Sequence, residues 1–327
     1  LAILYMDQVT QKWGFGSGVS LFIAAGVGWR LFTSAFQFID QQGRNCLGDF
    51  NNVGCSGKVL VLVQSVINKY PVEMLSAAAT IATTVIIFLA VVWAQSLKVE
   101  IPLSFGRIRG YTTKWPLSFF YASVIPVIFT SALVANIQLF GGLVENATAA
   151  CNLGDCSFLA KIGSKFTFLG SFVNGQPISG LAFWMGSTNL LDLIIRGGFL
   201  PIFLFQGLTH IIFFMVFSTV FSVFWVKTSQ MDARAQAHKI AASGLQVAGF
   251  RQDERILESI LNRYIMPLTV MGGAAIGLLA ATTDLLGALV SGTSILLVIM
   301  IIYQLSQNIM QQHQTDMNPA FRKFVEG

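Results

Sequence analysis

The sequence predicts an all-α, polytopic membrane protein. Of its 327 residues, 54% are hydrophobic and only 11% are charged, whereas about a quarter of the residues in a soluble domain are charged. A chain this apolar has too few polar groups to cover its own surface, so lipid must cover much of it. The apolar residues also gather into long runs, as membrane-spanning helices require.

Six of these runs are long enough to cross a membrane as helices, and the first five residues form the end of a seventh helix. The six runs are 17–39, 73–97, 117–140, 198–226, 266–287 and 291–309. The apolar residues 1–5 are followed at once by the polar stretch MDQVTQKW, without the charged segment or cleavage site of a signal peptide. We therefore expect the chain to begin inside a helix that starts upstream.

Polar connectors separate the runs and indicate the orientation. Because successive connectors alternate between the two sides of the membrane, 98–116 and 228–264 should lie on one side, and 40–72 and 141–197 on the other. Most of the 20 basic residues fall on the side of 98–116 and 228–264. The positive-inside rule therefore makes that side the cytoplasm.

All four cysteines fall in the two connectors on the opposite side. They are Cys46, Cys55, Cys151 and Cys156. Thiols confined to one face suggest disulfides in an oxidising compartment. Four cysteines allow three pairings, of which Cys46–Cys55 and Cys151–Cys156 close the shortest loops. Four free thiols are the alternative, and a zinc site is disfavoured because no histidine lies near them in the sequence.

The spans lack the ionisable residues on which ion-coupled transport depends. Glu73, Arg30 and Asp284 lie towards the ends of their runs, and His210 is the one titratable residue deep inside a span. Because no acidic partner accompanies His210, we predict a structural role for it rather than proton relay. The sequence also contains no HExxH, no CxxC and no nucleotide-binding loop, so we predict no enzyme activity, no metal site and no cofactor. A passive pathway or a scaffold remains.

Several long strings, in order over nearly the whole chain, resemble one protein family. They are DQVTQKWGFGSGVSLFIAAGV (7–27), KVEIPLSFGRIRG (98–110), YASVIPVIFTSALVANIQL (121–139), AGFRQDERILESILNRYIMPLTVMGGAAIGLLA (248–280) and LGALVSGTSILLVIMIIYQL (286–305). They resemble the archaeal form of the SecY family, the pore subunits of the protein-translocation channel. The likeness is weakest in the connectors 40–72 and 141–197.

The resemblance implies a bundle of ten spanning helices, arranged in two halves that open like a clamshell. The sequence would supply the end of the fourth helix and the fifth to tenth. We therefore expect it to lack the family's first three helices, the plug of the closed pore and one wall of the lateral gate.

The resemblance also implies how the chain is divided. Residues 1–140 would run from the end of the fourth helix through the lateral-gate helix, 141–197 would form an extracytoplasmic connector, and 198–327 would hold the last three helices and a cytoplasmic tail. Within these parts, 98–116 and 228–264 would be cytoplasmic docking loops.

The pore of the family narrows at a ring of aliphatic side chains. The matching positions here are Ile23, Val27, Ile128 and Leu297. Such a ring suits a conduit because a narrow apolar passage dewets and so resists ions. Ile23 and Val27 are four residues apart and would share one helix face. Pro126, two residues before Ile128, would kink its span.

The lateral gate of the family includes the helix that matches 117–140. Asn136 is its notable polar residue, and we expect it to hold the closed gate through an interhelical hydrogen bond. Alternatively, Asn136 is only a polar residue satisfied by a neighbouring helix.

The glycine-flanked stretch SFGRIRGYTTKW (104–115) and the connector 228–264 match the loops that dock the ribosome. The basic residues expected to contact it are Arg107, Arg109, Lys114, Arg251 and Arg255. Because ribosomal RNA is a polyanion, exposed arginine and lysine on such loops can neutralise its phosphates. Alternatively, these residues only obey the positive-inside rule.

The resemblance implies a multi-pass protein of the cell (plasma) membrane with a cytoplasmic C-terminus. It would pass unfolded nascent polypeptides, release signal sequences and membrane helices into the lipid bilayer, and assemble with SecE, a small single-helix third subunit and the ribosome. Two alternatives stay open. One is a secondary transporter with broken helices, since Pro126 and Pro267 interrupt apolar runs, and the other is a scaffold or insertase-like factor without a continuous pore.

Overall fold

In a computed structural model the described part of the protein is mostly helical, which confirms the predicted helical membrane-protein class. The structure describes residues 2–13, 18–40, 43–46, 54–105, 112–152, 168, 170–173, 176–242, 245–247 and 254–317. The helices are α1 (Ala2–Trp13), α2 (Gly18–Phe36), α3 (Lys58–Asn68), α4 (Pro71–Ser96), α5 (Ile125–Asn152), α6 (Leu181–Met185), α7 (Leu190–Ile195), α8 (Pro201–Thr228), α9 (Ala233–Ala242), α10 (Glu254–Leu285) and α11 (Gly292–Met317). The strands are β1 (Lys98–Phe105), β2 (Thr112–Ser118), β3 (Phe172–Val173), β4 (Gln176–Pro177) and β5 (Leu245–Val247).

Among the described residues, five helices are long and apolar enough to cross a membrane. They are α4, α5 over Ile125–Val144, α8, α10 and α11 over Gly292–Met310. Five of the six predicted spans are thus confirmed. The sixth corresponds to α2, whose apolar segment Ser20–Phe36 is shorter than the other five.

Several helix boundaries differ from the predicted ones. α5 ends at Asn152 instead of 140, and α11 ends at Met317 instead of 309. α1 continues through the polar stretch to Trp13 instead of ending near residue 5. α5 begins at Ile125 rather than 117, because Leu117 pairs with Val99 in a sheet. α10 begins at Glu254 instead of 266, because the helical pattern of DERILESILNRY joins the apolar run in one continuous helix.

The chain forms two compact units, and the first comprises Leu1–Val92 and Ala288–Gly327. Within it α2 packs against α1, α3 and α11. The backbone N–H of Leu289 donates a hydrogen bond of 3.1 Å to the Thr84 side-chain oxygen. This bond ties the segment before α11 to α4.

A disulfide closes the connector between α2 and α3. It joins Cys46 and Cys55, whose Cα atoms lie 5.3 Å apart and whose side chains are buried. The backbone N–H of Cys55 also donates to Gln64 Oε1 on α3. One of the two favoured pairings is therefore confirmed. Cys156 lies outside the described residues, so the pairing Cys151–Cys156 stays a prediction.

We expect the double variant Cys46→Ala/Cys55→Ala to destabilise this connector by about 2–3 kcal/mol. The disulfide closes a short loop and so lowers the conformational entropy of the unfolded connector, and the variant loses this effect. The measurement is the rate of proteolysis between α2 and α3 in the purified protein. A reductant should accelerate cleavage of the parent to the rate of the variant and leave the variant unchanged. Equal rates for parent and variant without reductant would show that the disulfide contributes nothing.

The second unit, Trp93–Gly287, is built around α8, which packs against α10 and α5. Two buried serines of α8 donate hydrogen bonds to carbonyl groups of α10, from Ser218 to Gly273 over 2.9 Å and from Ser222 to Thr269 over 3.0 Å. A Cβ atom added to Gly273 would lie 2.7 Å from Ser222 Cβ, so glycine permits the close approach. Small residues and interhelical hydrogen bonds are what hold helices together inside a bilayer.

A three-stranded antiparallel sheet of order β2-β1-β5 completes the second unit. Leu103 on β1 lies opposite Thr113 on β2 and Val247 on β5. The connectors 98–116 and 228–264, which the sequence predicts as two separate loops, therefore meet in one sheet. Nothing in the sequence pattern predicted this pairing.

Candidate functional site

The predicted docking residues belong to the connectors that this sheet joins. Lys114 lies on β2. Arg255 lies in the first turn of α10 and is exposed. Arg107, Arg109 and Arg251 lie outside the described residues. The docking role of all five stays a prediction, but the strands that lead to them are held in one sheet.

A single buried cluster joins the sheet to the start of α5 and to three further helices. Its members are Ile101, Leu117, Tyr121, Ala122, Val226, Ala233, Ala237, Ile240, Leu257, Leu261, Ile265 and Leu268. They come from β1, β2, the turn before α5, α8, α9 and α10. Because protein interiors are close-packed and transmit strain, a displacement of one of these elements would shift the others as well.

Tyr121, in the turn between β2 and α5, links two parts of this cluster that are far apart in the sequence. Its side chain is 8% exposed, and its hydroxyl donates a hydrogen bond of 2.6 Å to the backbone carbonyl of Met231. Burial, and to a lesser degree the charge of Asp232, raises the pKa of Tyr121 to about 12. The hydroxyl therefore keeps its proton throughout the neutral range and remains a donor. The turn before α5 is thereby fixed to the turn between α8 and α9.

We expect Tyr121→Phe to lower the free energy of unfolding by about 1–2 kcal/mol, because a carbonyl in a largely buried site loses its donor. The measurement is thermal unfolding of the detergent-purified protein. Tyr264→Phe is the matched control, since Tyr264 is 43% exposed and forms no hydrogen bond with the described residues. Equal stability of the two variants would show that the Tyr121 hydroxyl contributes nothing.

The backbone between Tyr121 and α5 is a candidate pivot. Ser123 has a φ angle of 61°, in the left-handed region that few residues other than glycine adopt. On the preceding side, the turn is packed so tightly against α10 that a Cβ atom on Gly272 would lie 2.6 Å from the Phe119 carbonyl oxygen. The tight packing thus ends just before the unusual backbone geometry begins.

Neither proline that was predicted to interrupt a span breaks a helix. Pro126 is the second residue of α5, where a missing N–H costs nothing because the first turn has no intrahelical partner for it. The predicted kink at Pro126 is therefore wrong. Pro267 lies inside α10, and the helix continues on both sides of it.

The predicted ring residues are divided between the two units. Ile23 and Val27 lie on α2 and Leu297 lies on α11, and these two helices pack against each other in the first unit. Ile128 lies in the first turn of α5, in the second unit. Ile23 is 41% exposed and the other three are partly buried. Convergence of the four on one axis stays a prediction.

The predicted gate residue lies on α5. Asn136 is exposed and forms no hydrogen bond with any described residue. Two residues further along α5, Gln138 lines a cavity of about 600 Å³ together with Gly186, Thr188 and Gln206. The side chains that line this cavity carry no charge, as the bare spans of the sequence predict.

His210 and Gln206 bind backbone carbonyl groups of α6. His210 is 2% exposed, and its Nδ1 lies 2.7 Å from the Met185 carbonyl oxygen. Gln206 Nε2 donates a hydrogen bond of 2.7 Å to the Phe183 carbonyl oxygen. These bonds satisfy carbonyl groups at the end of a short helix, which agrees with the structural role predicted for His210. Gln206 could not be recognised as a functional residue from the sequence, because a lone amide in an apolar run carries no recognisable pattern.

Comparison with known proteins identifies the family. The SecY family model matches residues 1–306. The chain belongs to the SecY family. The SecY protein translocase subunit of Methanococcus vannielii is 34% identical to it over 99% of this chain and 65% of the relative, and that of Haloarcula marismortui is 37% identical over 98% and 65%. The chain thus spans 65% of the length of these relatives.

Solved structures of SecY-family channels share the fold. A structure of a protein-conducting channel has a TM-score of 0.70 and 32% identity over 98% of this chain and 64% of that chain. Sec61 in the canine ribosome–channel complex has a TM-score of 0.65 and 31% identity, with the same coverage. The family resemblance predicted from the sequence is confirmed. Since the family consists of protein translocase subunits, the prediction that the chain is not an enzyme is confirmed as well.

Proposed function

We propose that this chain is the central subunit of a protein-conducting channel, which passes unfolded polypeptides across the membrane and releases membrane helices sideways into lipid. The observation that carries the proposal is the match to the SecY family over residues 1–306, with relatives that are protein translocase subunits. The apolar spans, whose charged residues lie towards their ends, support it, because a conduit for many different polypeptides must not bind any of them tightly.

In this proposal the constriction is formed by Ile23, Val27, Ile128 and Leu297. Aliphatic side chains offer a passing polypeptide no hydrogen-bond partner, and a narrow apolar ring excludes hydrated ions by dewetting. The packing of α2 against α11 supports the assignment for three of the four, since it keeps the helices that carry Ile23, Val27 and Leu297 together.

α5 is the lateral-gate helix of the proposal. Asn136 is exposed on it, and a hydrogen bond from this residue to a facing helix would contribute about 1 kcal/mol. A bond of that strength stabilises a closed gate and still lets a signal sequence separate the helices.

Docking of the ribosome by 98–116 and 228–264 would act on the same helix. Canine Sec61, a structural relative, is solved in a ribosome–channel complex. Here the sheet that joins the two connectors and the first residues before α5 contribute to one buried cluster. A force on the docked sheet would therefore reach the turn at Ser123, just before the first residue of α5.

The proposed orientation places both docking connectors and the C-terminus in the cytoplasm, and the protein in the plasma membrane. The disulfide between Cys46 and Cys55 supports this orientation, because disulfides are typical of an oxidising compartment and the proposal puts this connector on the side opposite the cytoplasm. The proposed partners are SecE, a small single-helix third subunit, the ribosome, and the nascent chains and signal sequences that pass through.

A secondary transporter with broken helices is the alternative that the sequence left open. Its main support in the sequence is the expectation that Pro126 and Pro267 break helices. In the structure α10 is continuous through Pro267, and Pro126 lies in the first turn of α5. The charged residues of the apolar runs also lie towards their ends, where they are poorly placed to bind a coupling ion near the midplane. We therefore favour the channel.

Reconstitution of the complete complex in liposomes tests the proposal. We expect ion conductance to appear only when a translocating polypeptide is added, and to end when that polypeptide is released. Solute uptake coupled to an ion gradient without any polypeptide would contradict the channel and support the transporter. A membrane scaffold would show neither signal.

A further inference from the structure

The cavity beside Gln138 is a feature of the second unit that the proposed channel does not use. Its volume is about 600 Å³, and its described lining comes from α5, the hairpin of β3 and β4, the segment after α6, and α8. All of these lining residues belong to Trp93–Gly287, whereas the proposed constriction takes its residues from both units. Small-molecule sites in proteins have volumes of about 300–1,000 Å³. The cavity is therefore large enough to hold a small ligand.

One wall of the cavity is fixed by hydrogen bonds from the first turns of α8. Gln206 Nε2 donates to the Phe183 carbonyl oxygen over 2.7 Å, and Gln206 Oε1 accepts from the Thr188 hydroxyl over 3.3 Å. The hydroxyl of Thr209 donates to the Trp184 carbonyl oxygen over 3.1 Å. These bonds hold α6 and the segment after it to α8. The wall is thus formed before a ligand binds, which lowers the entropic cost of binding.

Two other polar side chains at the cavity have no partner among the described residues. Gln138 on α5 and Ser187 after α6 line the cavity and form no hydrogen bond with them. Gln138 is partly buried and lies six residues before Val144, where the spanning part of α5 ends, a distance of about 9 Å at 1.5 Å per residue. An unpaired amide is costly at that depth in a bilayer. A ligand with hydrogen-bonding groups would remove this cost.

The lining selects an uncharged ligand. No described side chain that lines the cavity is ionisable. The next charged residues after Thr188 in the chain are Asp192 and Arg196 on α7, and their side chains pair with each other over 2.9 Å. A phosphate, carboxylate or ammonium group would therefore lose its hydration here without gaining a counter-ion. Amide and hydroxyl groups, in contrast, both donate and accept, and so they suit a ligand with several hydroxyl groups.

The apolar part of the lining suits the acyl chain of a lipid. Leu139 and Leu143 line the cavity on α5, and both side chains are more than half exposed. Because they are four residues apart, they lie one above the other along the spanning part of the helix. Gln206 lies five residues into α8, about 8 Å from its start, and so at nearly the depth of Gln138. A lipid can therefore place its head between the two amides and a chain along the leucines.

We propose that this cavity binds the head of an uncharged glycolipid, in which a sugar is carried on a diacylglycerol. The sugar hydroxyls pair with the amide of Gln138 and the hydroxyl of Ser187, and the acyl chains stay in the bilayer. The bound head joins α5 to the wall that α8 holds. An effect of this lipid on the lateral gate rests on the proposed function, in which α5 is the gate helix, whereas the binding itself does not.

Native mass spectrometry of the purified complete complex, in a polyoxyethylene detergent that carries no sugar, tests this inference. We expect monoglucosyl diacylglycerol to bind about tenfold more tightly than diacylglycerol or phosphatidylcholine, because the sugar adds two or more hydrogen bonds. Free glucose should not bind at the same concentration. Equal binding of diacylglycerol would overturn recognition of the head, and tighter binding of phosphatidylglycerol would overturn the choice of an uncharged lipid. Binding of free glucose as tight as that of the glycolipid would overturn the assignment to a lipid.

Two variants locate the binding in the cavity. Gln138→Leu removes the unpaired amide and should weaken binding of the glycolipid about fivefold. Gly142→Leu places a side chain in the cavity and should reduce binding to the level of diacylglycerol. The fold tolerates this change, because a Cβ atom on Gly142 meets no atom within 4 Å and leucine favours a helix more than glycine does. Gln304→Leu on α11 and Gly26→Leu on α2, which make the same changes outside the cavity, should leave binding unchanged.

Unchanged binding of the glycolipid in either cavity variant, or an equal loss in the two controls, would overturn the site. Impaired translocation by Gly142→Leu with glycolipid binding intact would show that the cavity receives the polypeptide, and would overturn the site as well. The binding assay contains neither ribosome nor translocating polypeptide, so its failure would leave the proposed channel function standing.

Discussion

Reversal of Arg107, Arg109 and Arg251 to Glu should weaken ribosome binding about a hundredfold. Each exposed cation that meets an RNA phosphate is worth on the order of 1 kcal/mol, and three such losses multiply to about that factor. The log–log slope of affinity against salt concentration should also flatten by about one unit for each phosphate that is no longer neutralised. Co-sedimentation of reconstituted vesicles with ribosomes at several salt concentrations measures both effects.

The control for this prediction is Lys58→Glu/Lys69→Glu, on the connector that we place on the opposite side of the membrane. It should leave ribosome binding unchanged. Docking by 98–116 and 228–264 would be refuted if the triple reversal bound ribosomes as tightly as the parent, or if both variants lost affinity equally.

A polar residue in the proposed constriction should open a path for ions. We expect Ile128→Asn and Leu297→Asn each to raise the resting ion conductance of the complete channel severalfold and to relax the requirement for a signal sequence. The physical reason is that an amide holds water in a passage that an aliphatic ring keeps dry. Planar-bilayer conductance and export of a reporter with a defective signal sequence are the two measurements.

Leu139→Asn on α5 and Ile302→Asn on α11 are the matched controls for these substitutions. The side chains of Leu139 and Ile302 are more than half exposed on the same two helices. Their replacement by Asn therefore makes the same chemical change outside the proposed ring. Conductance that rises as much in the controls as in the ring variants would remove the reason for assigning Ile128 and Leu297 to a constriction.

The fold class and most of the spans could be predicted because hydropathy over about 20 residues is a local property of the sequence. Helix ends were less accurate for a physical reason. Leu117 is apolar enough to extend a span, but it pairs with Val99 in the sheet instead. The pairing of β1 with β5 depends on strands far apart in the sequence, and no local pattern encodes it.

The candidate site, too, could be predicted from the sequence only in part. The disulfide between Cys46 and Cys55 was predictable, because short loops close most easily and both cysteines fall in one connector. Tyr121 was not predictable as an anchor, since only the fold brings it to Met231, 110 residues away. The kink expected at Pro126 failed because its effect depends on whether it lies in the first turn or the interior of a helix.

The central claim is that Ile23, Val27, Ile128 and Leu297 surround the path of a translocating polypeptide. Its most direct test uses an arrested polypeptide with a single cysteine, and channels with a cysteine at each ring position or at Leu139 or Ile302. We expect disulfide cross-links from all four ring positions at one common depth of the arrested chain, and none from Leu139 or Ile302. Cross-links absent at the ring, or equally frequent at Leu139 and Ile302, would contradict it.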